Sequence, residues 1–133
     1  MWETYRRDLR KYSRISLEQE RYLIAKAKKG FKKETEELVL RHTSFVIFRI
    51  CKKTFPVYLN RFGEDILAET IFILYDKIKS YNLQYKDKHG NPKPVRFASY
   101  IWKRIDGFIL DSLKKEINRE KSHKNFDWER FSP

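Results

Sequence analysis

The chain has 133 residues, which suffice for one domain with a modest core but not for two. Its 30 Lys and Arg residues exceed its 18 Asp and Glu residues, and the net charge of +12 favours a polyanionic partner, nucleic acid first. The alternative is a basic surface without a specific partner. No leader peptide or membrane span is visible, so we expect a soluble cytoplasmic protein.

The cysteine and histidine content gives no sign of a metal or a disulfide. Cys51 is the single cysteine and cannot form a disulfide within the chain, which fits a reducing compartment. The three histidines lack metal-ligand spacing, so we expect no zinc site and no cofactor. The sequence contains 4 Gly and 4 Pro with long helical periodicities between them. These features predict an all-α, compact bundle of four to five helices.

The first two strong helices are predicted from their end signals and apolar content. The first begins after Ser16, which can form a capping box with Gln19, and ends at Gly30. The second runs from about Lys33 to Thr54 and is apolar enough to be the central helix. Pro56 is expected to end it, with a connector over 55–62.

The third helix, near Glu64 to Ser80, has two different faces. Its core stripe is expected to contain Leu67, Ile71, Leu74 and Ile78. Asp65, Glu69, Phe72 and Asp76 repeat at helical spacing on another side. This second face is either a solvated surface with one stray aromatic ring or a protein-docking surface with an aromatic anchor.

The remaining chain is predicted to form a loop, one long helix and a tail. Residues 81–95 form a polar loop interrupted by Gly and Pro. The last helix runs from about Arg96 to Lys121, and residues 122–133 are expected to be an irregular tail with three aromatic rings. Its buried side is expected to contain Ile101, Ile105, Phe108, Ile109 and Leu113.

Another stripe of the last helix is basic and partly aromatic. It contains Arg96, Tyr100, Lys103, Gly107, Leu110 and Lys114, with Trp102, Arg104 and Lys115 beside it. Cations that hold phosphates and a ring that stacks on an unpaired base suit single-stranded or melting DNA. Gly107 weakens the helix, so it indicates close approach of a DNA strand or of a neighbouring helix. Tyr100 and Trp102 could equally be edges of the core.

The order of these segments resembles a known family. FGEDILAETIFILYDKIKSYN, a loop and RFASYIWKRIDGFILDSLKKE resemble conserved region 2 of the sigma-70 family of bacterial RNA polymerase sigma factors. Within the first helices at 13–62, the stretch SLEQERYLIAKAKKGFKKETEELVLRHTSFVIFRICKK resembles the segment that precedes and opens that region. The motif RIDGFILD is most similar to flagellar-type alternative sigma factors. The resemblance implies a sigma-like domain over 1–121, with a polymerase-docking helix at 63–80 and a promoter-DNA helix at 96–121.

The resemblance also implies roles for particular residues. Asp65, Ile66, Leu67 and Glu69 match the motif that docks on the clamp helices of the largest subunit of core RNA polymerase, which supports a docking role for the acidic stripe with Phe72 and Asp76. Ala68 replaces the usual glutamine. Arg96, Phe97, Ser99 and Tyr100 match the motif that captures flipped non-template bases of the promoter −10 element.

The chain departs from the family pattern at several positions. Lys103 and Arg104 replace two adjacent tryptophans of housekeeping factors, although Trp102 lies beside them. Gly107 and Leu110 cannot make the bidentate hydrogen bonds that read bases, so the promoter sequence is not inherited from the housekeeping consensus. We therefore expect weaker melting, or dependence on a strong promoter or a helper.

The segment after Glu120 is too short for the helix-turn-helix domain that recognises the −35 element. A fragment, a minimal phage or plasmid factor, and one half of a two-subunit factor all stay open. An anti-sigma factor or a second sigma subunit is a further expected class of partner. The rival functions are a sigma-like decoy on the clamp helices, a nuclease using Glu64, Asp65 and Glu69, and a general duplex-DNA binder. No catalytic site is expected.

Overall fold

The computed structural model describes Arg7 and residues 14–131, with side chains as far as Lys121. Within that part the chain forms four helices and no strand, which confirms the all-α bundle. The helices are α1 (Leu17–Lys28), α2 (Lys32–Lys53), α3 (Pro56–Ser80) and α4 (Phe97–Phe131). Both α2 and α3 contact each of the other three helices, and the contacts of α2 are the more extensive, so α2 is the central helix, as predicted. No helix in the described ranges is both long and apolar enough to cross a membrane.

Both ends of α1 form as the sequence predicts. The Ser16 hydroxyl accepts a hydrogen bond from the Gln19 N–H at 3.1 Å, and the Gln19 side chain accepts one from the Ser16 N–H at 3.2 Å. At the other end Gly30 has a φ of +91°, a conformation that glycine adopts without strain. The Phe31 N–H then donates to the Lys26 carbonyl at 3.1 Å, which closes the helix and turns the chain directly into α2.

The connector expected over 55–62 is wrong, because α3 begins at Pro56. Proline suits the first position of a helix, since its fixed φ is helical and its missing N–H would have no partner there. Pro56 therefore starts a helix instead of ending one. The break between α2 and α3 is confined to Thr54 and Phe55, whose backbones are extended.

The core follows the predicted faces of α3 and α4 closely but not completely. On α4, Ile101, Ile105, Ile109 and Leu113 are buried, whereas Phe108 is half-buried. On α3, Leu74 and Ile78 are buried as expected, but Leu67 and Ile71 are half-buried, and Ile66, Thr70 and Ile73 complete the core stripe. The apolar run of α2 is more one-sided than predicted, since Phe48 is 51% exposed.

The last helix is longer than the sequence indicates. The prediction of an irregular tail over 122–133 is wrong as far as Phe131, where α4 ends. No glycine or proline occurs between Gly107 and Pro133, so nothing in the sequence interrupts the backbone hydrogen bonds. An ion pair between Arg61 and Glu120 joins the beginning of α3 to this part of α4. The aromatic side chains of the tail and residues 132–133 lie outside the described part.

The loop over 81–95 is polar as predicted and has internal hydrogen bonds. The Asp87 carboxylate accepts hydrogen bonds from the N–H groups of His89 and Asn91, at 2.8 and 3.0 Å. The Tyr81 hydroxyl donates to the Val95 carbonyl and joins the two ends of the loop. Burial raises the pKa of Tyr81, which keeps this hydroxyl protonated and able to donate. The loop therefore delivers the chain to α4 at a fixed place.

A buried polar network joins α1, α2 and the beginning of α4. The Glu20 carboxylate lies 3.1 Å from His42 Nε2, and His42 Nδ1 donates to the Leu38 carbonyl at 2.8 Å. Arg96 approaches the second carboxylate oxygen of Glu20 at 3.6 Å. Glu20 and His42 are 3% and 7% exposed, so water scarcely reaches the network. Polar groups buried this deeply need partners. His42 is the hydrogen-bond partner of Glu20 Oε1, whereas Glu20 Oε2 has only the charge of Arg96 within ion-pair distance.

The network keeps Glu20 ionised. Burial acts to raise the pKa of Glu20, but the hydrogen bond and charge of His42, the Phe97 N–H and the Arg96 guanidinium together lower it below the ordinary value. A carboxylate that is ionised accepts hydrogen bonds and donates none. The Leu38 carbonyl also accepts only, so both ring nitrogens of His42 face hydrogen-bond acceptors.

We expect acid to destabilise the fold through Glu20. Its pKa is lower in the folded chain than the ordinary 4.5, so its stabilising effect is complete above about that pH and is lost as the pH falls through the folded value. The substitution Glu20→Gln should lower the free energy of unfolding near neutral pH by about 1–3 kcal/mol and flatten its fall below pH ~4.5. Urea unfolding at a series of pH values measures both effects. The exposed Glu36→Gln serves as the control, and parallel pH curves for Glu20→Gln and the wild type would contradict the prediction.

Candidate nucleic-acid and protein interfaces

The acidic stripe of α3 is a solvent-facing surface. Asp65, Glu69, Phe72 and Asp76 are all exposed, as their helical spacing predicts. The Phe72 ring is 71% exposed and lies between carboxylates along the helix. A large apolar ring left in water among charges is a feature that a partner can bury. The structure therefore has an anchor and surrounding charges on one side of α3, here called the acidic face.

Ile66 does not belong to this acidic face, although the motif match placed it there. Its side chain is 2% exposed and packs in the core, and Leu67 is half-buried beside it. The reason is geometric, because position 66 falls on the same side of α3 as the buried Thr70 and Ile73. The assignment of Ile66 to a partner-binding surface is therefore wrong, and Leu67 contributes its edge at most.

A groove of about 250 Å³ separates the acidic face from α4. Asp65 and Glu69 line it from α3, while Lys115 and Arg119 line it from α4. The sequence placed Lys115 with the DNA-binding residues, but it lies on the side of α4 that faces these carboxylates. Lys114, one residue earlier, points about 100° away and stays on the basic stripe.

The basic stripe of α4 faces solvent along its length. Arg96, Tyr100 and Gly107 are half-buried, and Ser99, Lys103, Arg104, Leu110 and Lys114 are exposed. A side chain added at Gly107 would meet nothing within 4 Å in the described part of the chain, so a neighbouring helix does not require glycine there. Of the two explanations for Gly107, packing against another helix is wrong. Close approach of a binding partner stays a prediction.

Phe97 lies in the core and not on the basic stripe. It is 0% exposed, and its ring centroid lies 4.9 Å from that of His42 and 6.0 Å from that of Tyr81, both in edge contact. Its assignment to DNA binding is therefore wrong for the side chain, because no nucleotide can reach it in this fold. Phe97 instead anchors the first turn of α4 to α2 and to the loop.

Tyr100 stands at the border between the core and the surface. Its ring meets Tyr81 edge-on at 5.3 Å between centroids, and its hydroxyl lies 2.8 Å from the Ser80 hydroxyl. The Lys77 ammonium lies over the ring at 5.4 Å from its centroid. Tyr100 is thus a core edge, as one sequence interpretation held, with a cation over its ring. The contact with Lys77 could not be predicted from the sequence, because Lys77 lies 23 residues earlier in the chain.

Arg96 is held by the protein on two sides. Its guanidinium donates to the Ile15 carbonyl at 2.8 Å and lies 3.6 Å from Glu20 Oε2. The side chain keeps 29% of its surface exposed, so part of the guanidinium faces water. The arginine is therefore fixed in place at the start of the basic stripe, with reduced freedom to follow a ligand.

A second polar cluster, which the sequence did not reveal, supports the exposed Trp102. Arg49 Nε donates to Asp106 at 2.8 Å, its second nitrogen donates to the other carboxylate oxygen, and Lys53 approaches at 3.9 Å. The hydrogen bonds that Arg49 donates to Asp106 raise the pKa of Arg49 against the effect of burial. Arg49 and Lys103 both lie under 6 Å from the centre of the Trp102 ring, which is 40% exposed. The one sequence signal for this cluster is Arg49 itself, a charged residue inside the apolar run of α2.

The carboxylates of the described residues form no metal centre. No group of three or more His, Cys, Asp or Glu side chains in that part of the chain could hold an ion. Comparisons of the chain with protein-family models, with curated proteins and with solved structures find no match.

Removing the Phe97 ring should destabilise the fold far more than removing an exposed side chain of the same helix. Phe97→Ala leaves a cavity in the core, and we expect the free energy of unfolding to fall by about 3–5 kcal/mol. Leu110→Ala, at a position that is 43% exposed, should change it by about 0.5 kcal/mol or less. Urea unfolding followed by circular dichroism measures both. Equal effects at the two positions would contradict the placement of Phe97 in the core.

Proposed function

We propose that this chain is a sigma-type subunit that binds core RNA polymerase and opens promoter DNA at the −10 element. The observation that carries the proposal is the presence of two chemically distinct surfaces on different sides of one bundle. The acidic face of α3 offers an exposed ring among carboxylates, and the stripe of α4 offers cations beside a tyrosine. A subunit that joins an enzyme to DNA needs one surface for the enzyme and a separate surface for the DNA.

The acidic face suits a protein partner better than DNA. Its carboxylates would repel phosphates, whereas they complement a basic protein surface. Phe72 can supply binding energy by burial, because its ring is 71% exposed before any partner binds. The resemblance to the polymerase-docking motif names the partner as the clamp helices of the largest polymerase subunit. Asp65 and Glu69 are the residues of that motif that are free to contact it.

The stripe of α4 suits a single strand released from a duplex. A base that stacks on Tyr100 takes the place of the Lys77 ammonium over the ring, and the displaced cation is then close enough to hold a phosphate. Lys103 and Lys114 can contact further phosphates along the helix. Base stacking contributes about 1–3 kcal/mol per base, which offsets the few kcal/mol that unstacking costs. Binding of the unpaired strand would thus drive opening without a catalytic group.

The second candidate function is a decoy that occupies the polymerase without opening promoters. The observation in its favour is that three residues of the base-capturing motif are engaged within the fold. Phe97 is buried, Arg96 is held by Ile15 and Glu20, and Tyr100 packs on the core edge. A protein that only docks would need the acidic face and not an accessible stripe on α4.

Polymerase binding should depend on the exposed ring of the acidic face. We expect Phe72→Ala to weaken binding to core RNA polymerase by about tenfold or more, since a buried aromatic anchor typically contributes over 1 kcal/mol. Phe48→Ala removes another exposed phenylalanine, from α2, and should leave binding unchanged. Surface-immobilised core polymerase titrated with each variant gives the dissociation constants. Equal losses for both variants would remove the acidic face from the proposal.

Promoter opening should depend on the ring at position 100. Tyr100→Ala should abolish opening on a panel of randomised promoters while leaving polymerase binding within about twofold. Tyr100→Phe keeps the ring, loses the contact with Ser80, and should retain opening. Permanganate footprinting of unpaired thymines measures opening. A wild-type protein that binds core polymerase and opens no promoter would favour the decoy.

A further inference from the structure

The turn between α1 and α2 carries a dense basic and aromatic surface outside both faces already described. The turn surface consists of Tyr22, Lys26, Lys28, Lys29, Phe31, Lys32 and Lys33. Tyr22 and Phe31 are 56% and 48% exposed, and Lys26 Nζ lies between them, 5.8 and 4.7 Å from the two ring centroids. Tyr22, Lys26 and Lys29 follow one another at four- and three-residue spacing, so they share one side of α1.

The helix dipoles favour the positions of some of these lysines and oppose the positions of others. Lys26 and Lys28 lie in the last turn of α1, where a positive charge is favourable to the helix dipole. Lys32 and Lys33 lie in the first turn of α2, where the dipole opposes a positive charge. Lys32 has Glu36 at 3.9 Å, but no carboxylate of the described residues lies within ion-pair distance of Lys29 or Lys33. Exposed cations in an unfavourable position indicate an anionic partner.

One residue of the turn surface, Lys28, reaches the end of α3 beside Tyr100. Lys28 Nζ donates to the Lys79 carbonyl at 2.7 Å, and the next residue, Ser80, contacts the Tyr100 hydroxyl at 2.8 Å. These contacts limit the separation of the Lys28 ammonium and the Tyr100 hydroxyl to about 10 Å. Lys77 lies beside the same path, over the Tyr100 ring. A single strand of a few nucleotides would therefore be enough to cross that distance.

We propose that the turn surface is a second contact for single-stranded DNA, which runs from Tyr100 across the end of α3 to the α1–α2 turn. This inference rests on the proposed function for the Tyr100 end of the path. Lys29 and Lys33 bind phosphates of the strand. Tyr22 and Phe31 offer aromatic rings on which bases of the same strand can stack. The contact carries no base information, so it lengthens the bound strand without adding sequence preference.

The test uses the full chain and a fluorescein-labelled oligothymidine of about 20 nucleotides, with anisotropy measured over a range of salt concentrations. For single strands, each phosphate contact contributes about 0.7 to the slope of log affinity against log salt. Lys29→Ala/Lys33→Ala should lower that slope by about 1.4, and Lys33→Ala alone by about 0.7. Lys52→Ala is the matched control, because Lys52 is an exposed lysine of the same helix about 28 Å further along. It should leave the slope unchanged.

Tyr100→Ala separates this inference from the proposed function. If it weakens binding while the double lysine variant keeps the wild-type slope, the turn surface is not a DNA contact and the proposed role of α4 stands. If the lysine variants lower the slope and Tyr100→Ala has no effect, the turn surface binds DNA and the Tyr100 part of the path is wrong. Equal slopes for the double variant, Lys52→Ala and the wild type overturn the inference, and an acidic protein then becomes the partner to seek.

Discussion

The buried contact between Glu20 and His42 determines where the beginning of α4 lies. It joins α1 to α2, and Arg96 and the Phe97 N–H reach the same carboxylate from the first turn of α4. Such a charge in the interior is costly unless every partner is present, so the arrangement tolerates little variation in position. The edge contact of Phe97 with the His42 ring adds a packing restraint to the polar one. The location of Tyr100 on the surface follows from these restraints.

Helix α3 carries acidic and basic side chains at different places along its length. α3 exposes carboxylates along its middle, whereas its C-terminal turn carries Lys77 and Lys79, next to Lys28 of α1. In the proposed function, this separation of charge along one helix would keep a negatively charged strand away from the acidic face.

Local signals made the helices predictable, while contacts between distant residues did not follow from the sequence. The capping box of α1, its glycine end and the apolar spacing of α4 act within a few residues, and each was confirmed. The role of Pro56 was predicted wrongly because the same two properties of proline, a fixed φ and a missing N–H, exclude it from the interior of one helix and suit it to the first position of the next. Motif matching could not show that Ile66 and Phe97 are buried, since a motif does not say whether each side chain faces the core or the solvent. The partners of Glu20 and Arg49, at His42 and Asp106, lie 22 and 57 residues away.

Gly107 has a consequence for the evolution of this chain. Alanine would fit the open space at that position and would stabilise the helix by about 1 kcal/mol. Stabilising replacements of this kind are common, and selection removes them where they impair activity. The glycine therefore leaves about 1 kcal/mol of helix stability unused at an open position of α4. Directed evolution for heat resistance alone would be expected to replace this glycine early.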